Sequence, residues 1–128
     1  MRRSYFALVG LALLAATVGV MIAVGVGEAS GTVLVAVGAL LLSADLLIIG
    51  GLTDQISVNS WVVRWYHMVG AGVVLLGLAN VVFGAGWVIE SGEPSVGVLA
   101  FTTAGLVIAF IGVDFFRGGI HYDVSRFE

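Results

Sequence analysis

Asp45 is the residue whose placement carries the sharpest chemical question. It lies inside an uninterrupted apolar run, seven residues before Leu52. At ~1.5 Å per helical residue, that puts its carboxyl about 10 Å from the end of the run. An ionised carboxylate at such depth in a bilayer costs on the order of 3 kcal/mol, so it has to be paired, hydrogen-bonded, protonated or solvated in a cavity. Two chemistries follow: a proton- or cation-binding site, or a structural tether between helices. Gly38 falls two helical turns earlier on the same face, which predicts that Asp45 points into a helix bundle. Arg64, Tyr66 and His67, and more remotely Arg3 and Tyr5, enter from the same side and are its expected partners. Asp114 lies near the end of another apolar run with Arg117 three residues on, and a solvated i,i+3 ion pair is expected there. Asn80, in the middle of a third run, is expected to bond across to a neighbouring helix. Thr17, Thr102 and Thr103 have the option of their own helix carbonyls.

Other chemistry is thinly represented. The chain has no cysteine, which removes disulfides, thiolate metal sites and cysteine nucleophiles. It shows no phosphate loop, nucleophile elbow or HExxH pattern. His67 and His121 both fall near one interface, but haem-ligating histidines of membrane proteins usually lie deeper on helices. His121, Tyr122 and Asp123 are too few for a metal set. Glu90 and Glu93 sit in a short loop with no acid–base partner. The expectation is a protein that is not an enzyme and has no cofactor or metal. A formal net charge of −3 argues against nucleic-acid partners.

The elements that must position these residues follow from composition. Of the 128 residues, 60% are hydrophobic and 19 are glycine, and the mean hydropathy is +1.16. A water-soluble domain could not cover that much apolar surface. Four runs, about 5–27, 32–52, 65–89 and 96–116, are long enough to cross a hydrocarbon core as helices. The predicted fold is all-α: one polytopic four-helix transmembrane domain over 1–128, built as two hairpins, with a short tail from 117 to 128. The first run is too long for a secretory signal core and is read as a retained span. The connection 53–64 mixes Ile56, Val58, Trp61 and Val62 with polar residues and is expected to lie flat at the interface.

With the N-terminus inside, Arg2, Arg3, Arg64, Arg117 and Arg126 all fall on the inner side, and Glu28, Glu90 and Glu93 fall outside. This predicts a cell-membrane protein with both termini cytoplasmic. Arginine without lysine resembles the composition of halophilic archaeal proteins, and a GC-rich bacterium fits as well. Asp45, Gly50, Gly51 and Asp54 echo Asp114, Gly118, Gly119 and Asp123, which raises a parallel internal repeat. Small residues supply the expected packing faces: Ala15, Gly19 and Ala23 on the first span, and Gly70, Gly77 and Gly84 on the third. The fourth offers Gly105, Ala109 and Gly112. The layout resembles the small multidrug-resistance transporters only in helix number and length. Those carry an essential glutamate in their first helix, and this first span has no acid. The expected role is an accessory or scaffold subunit in lipid, as a homo-oligomer or within a membrane complex. The alternative is a small oligomeric proton- or cation-coupled transporter or channel using Asp45.

Overall fold

In the computed structural model, which describes residues 2–128, four long helices dominate. They are α1 (Ser4–Val24), α2 (Gly31–Leu52), α3 (Trp65–Ser91) and α4 (Val96–Phe116). A hairpin of β1 (Gln55–Val58) and β2 (Trp61–Arg64) links α2 to α3. Short 3₁₀ turns cover Val26–Glu28 and Val124–Phe127. Each long helix is predominantly apolar, and the shortest, at 21 residues, spans about 31 Å. These are four membrane-spanning lengths, and the apolar surfaces imply contact with a lipid bilayer.

Local chemistry sets the helix ends. Gly25, at φ 81°, ends α1 at Val24, so the first span stops three residues short of its expected limit. Gly92, at φ 71°, closes α3 in the left-handed conformation that glycine adopts without a Cβ penalty. Ser30 and Ser95 begin α2 and α4 by accepting the amides of Val33 (3.4 Å) and Val98 (3.2 Å).

The helices pack in chain order, α1 on α2, α2 on α3, α3 on α4. Lipid gives no hydrophobic drive between helices, so backbones must approach closely. On the α3–α4 seam, Gly70 lies against Phe116 and Gly112, Gly77 against Gly105 and Ala109, and Gly84 against Thr102. On the α2–α3 seam, Gly50 meets Trp65 and Val69, and Gly72 meets Ser43 and Leu47. On the α1–α2 seam, Gly51 meets Ala7, and Gly10 meets Ala44 and Ile48. The first helix thus packs through Ala7 and Gly10. Gly19 has nothing near it within the chain, and Ala15 and Ala23 are exposed.

The connection 53–64 forms a β-hairpin. Val58 pairs with Trp61 across a two-residue turn, where Asn59 takes φ 55°. Asparagine tolerates that conformation, and the β-branched residues on both arms favour strands. Ile56 pairs with Val63, and both pack against the core. That core is Leu47, Trp65, Met68, Val69 and Phe115, gathered where α1 and α3 begin and α2 and α4 end. Phe6 reaches Phe115 there, with ring centroids 5.8 Å apart in an edge-to-face arrangement.

Candidate functional site: two intramembrane aspartates

Asp114 and Asp45, matched by their spacing in the sequence, occupy unlike surroundings. Asp114, in the last turn of α4, is only 4% exposed. The backbone N–H groups of Ile120 (3.1 Å), His121 (3.0 Å) and Tyr122 (2.9 Å) all donate to its carboxylate. The His121 ring Nδ1 lies 2.9 Å from Oδ1. Gly118 and Gly119, at φ 86° and 76°, reverse the chain just past α4 and aim those amides back at it. A Cβ on Gly119 would run into the Tyr122 carbonyl, so the reversal needs glycine twice over. The expected Asp114–Arg117 pair does not form. The carboxylate is occupied by three amides that the turn delivers at closer range, and Arg117 is exposed.

This knot folds the tail across the arginine-bearing end. Phe127 packs on Phe6 and Phe115 at 5.1 and 5.6 Å between ring centroids. Its carbonyl accepts the Arg3 amide at 3.0 Å. The Arg3 guanidinium pairs with Asp54. Asp123 caps the final turn, accepting from both the hydroxyl and the amide of Ser125. Those donors, with Arg126 beside it, hold the Asp123 carboxyl below the usual aspartate range.

Asp45 does not point into a bundle. It is exposed on α2, and among the described residues it has no hydrogen-bond or ion-pair partner. Helix geometry gives the reason. The side of α2 facing α3 carries Ser43, Leu46, Leu47 and Gly50, and the side facing α1 carries Ala44, Ile48 and Gly51. Asp45 is two residues from both Ser43 and Leu47, hence about 200° round the helix from the α3 seam. Gly38, Leu42, Ile49 and Leu52 share its uncovered face. Its expected partners are engaged elsewhere. His67 Nδ1 accepts the Arg64 amide (3.3 Å) at the start of α3, and Tyr66 packs edge-on to Trp65.

Asn80 does not bond across to another helix; its amide donates to Leu76 O, one turn back, at 2.9 Å. The hydroxyls of Thr17, Thr102 and Thr103 likewise bond to their own helices. Among the described residues, a polar side-chain bond that joins two helices is one the sequence reading missed. Buried Ser43 donates to Gly72 O at 2.7 Å, linking α2 to α3. A small hydroxyl residue in an apolar helix was its only signal, and nothing in the spacing singled out its acceptor. Beside Asn80 lies an apolar cleft of about 210 Å³, with Val20, Leu40, Ala79 and Phe101 in its walls.

Asp114 is therefore consumed as an anchor, and Asp45 stays exposed with no such role within the described residues. Among the described residues no three acidic or histidine side chains gather as a metal set. Comparison with characterised proteins and with solved structures finds no match to the chain. Its whole length, residues 1–128, matches one family model, and the chain belongs to that family of unknown function, DUF7994.

Proposed function

We propose that the protein is a non-enzymatic accessory or scaffold subunit of the cell membrane, with both termini in the cytoplasm. In this reading, its row of helices docks other membrane helices. The observation that carries the reading is the uncovered face of α2. There an unpartnered carboxylate sits among residues that would otherwise meet only lipid. A charge left against hydrocarbon is costly, and a covering protein surface removes that cost. The exposed Ala15–Gly19–Ala23 stripe on α1 adds a second surface where another backbone could approach closely.

The test is photo-crosslinking in native membranes from a reactive side chain at Leu42, which is 51% exposed beside Asp45. Leu106, 56% exposed on α4, is the control position. Protein adducts of discrete mass from Leu42, with lipid adducts from Leu106, are expected. Lipid adducts alone from Leu42 would overturn the reading. Proton or cation flux in proteoliposomes that Asp45→Asn abolishes, with assembly intact, would replace it with transport.

A further inference from the structure

We infer that the helix covering the α2 face carries a lysine or arginine at the depth of Asp45, and that the two side chains form an intramembrane ion pair. The inference rests on the docking reading above and names the partner's chemistry. Three observations converge. First, Asp45 is exposed and has no partner among the described residues, so the chain itself does not neutralise it. Second, the face is open to a helix. A Cβ added at Gly38 would meet nothing within 4 Å, so the backbone there is open to close approach. Leu42 and Ile49, exposed on either side of Asp45, would seal the contact from water. In that dry setting the attraction between opposite charges is far stronger than at a surface.

Third, among the described residues no cation lies at the depth of Asp45. Arg3 is paired with Asp54, and Arg126 lies 3.6 Å from Asp123. Arg2 precedes α1, Arg64 precedes α3 and Arg117 follows α4, all at the end of the molecule and not at the depth of Asp45. A second copy packed about a twofold axis on this face would bring another Asp45 to the first. Two carboxylates in contact cannot both ionise, and the contact would hold only by sharing a proton. A basic side chain on a different helix satisfies the site without that condition. It also offsets the cost that each charge carries alone in the bilayer.

The probe is a synthetic alternating Leu-Ala transmembrane helix with one lysine at the matching depth, compared with the same helix carrying leucine there. Association with the full-length protein is read by fluorescence energy transfer in phosphatidylcholine vesicles. The lysine helix should bind about tenfold more tightly than the leucine helix. Asp45→Asn should erase that preference, and Gly38→Leu should weaken both helices. Equal binding of the two helices, or a preference that survives in Asp45→Asn, would overturn the inference. Asp45-dependent energy transfer between two labelled copies without the probe would also overturn it, naming a second copy as the occupant while docking itself stands. Lipid-only adducts from Leu42 in native membranes would instead remove the docking reading.

Discussion

Three backbone amides and a histidine ring converge on one carboxylate at Asp114, and among the described residues no other acceptor receives those amides. Asp114→Ala therefore removes the acceptor of three part-buried hydrogen bonds. A cost of about 1–3 kcal/mol is expected, paid as local opening of the tail. Hydrogen exchange should show Ile120, His121 and Tyr122 losing protection while α3 amides keep theirs. Asp114→Asn keeps one acceptor oxygen and should fall between. Asp45 should behave in the opposite way: Asp45→Leu removes no hydrogen bond or ion pair among the described residues, so the isolated protein should unfold in detergent no earlier than the parent. A second acid governs the tail through pH. The Asp123 carboxyl is held below its usual range by the Ser125 hydroxyl and amide, with Arg126 adding to the effect. A depressed carboxyl contributes stability above its unfolded value and loses it as pH falls through the folded one. The last turn should thus be unchanged from neutral pH down to about pH 4 and loosen only below it. Protection of the Ser125 amide relative to its intrinsic exchange rate, measured across that range and compared with Asp123→Asn, which should lack the loosening, would check the sign.

Glycines at the helix seams turn sequence spacing into packing, but only where a partner helix is present. A Cβ on Gly77 would collide with the backbone of Gly105 and Ala109, whereas one on Gly19 meets open space. Gly77→Leu should separate α3 from α4 and cost about 3 kcal/mol, the upper range for overpacking. Gly19→Leu should leave the thermal midpoint of the purified chain unchanged. Thermal unfolding of both variants in one detergent makes the comparison. The heptad of Gly70, Gly77 and Gly84 is legible because its period matches a helix face. Spacing alone does not say whether a face meets its own chain, and the equally regular Ala15–Gly19–Ala23 stripe turns outward. Asp45 was misplaced for a related reason. Gly38 and Asp45 do share a face, yet which face α3 covers is set by Ser43, Leu47 and Gly50, whose small or apolar side chains stand out little in an apolar helix. The β-hairpin escaped because each arm is four residues long and Val58 and Trp61 are exposed, which blurs the inside–outside alternation.

At the scale of the whole molecule, the buried core, the arginines and the folded tail all gather at one end of an open row of helices. Glu90 and Glu93 lie exposed at the other. The positive-inside bias acts on loop arginines during insertion, and here all five fall on one side. That side should be the cytoplasm. The chain has no native cysteine, so single substitutions report cleanly. Ser91→Cys, at the exposed end of α3, should react with an impermeant thiol reagent in intact cells. Ser57→Cys, in the hairpin, should react only after the membrane is opened. The reverse pattern would place every arginine outside and put Asp45 in the outer half of the bilayer. A partner helix would then have to offer its basic residue from the opposite leaflet, so the labelling result also fixes the depth at which that residue must be sought.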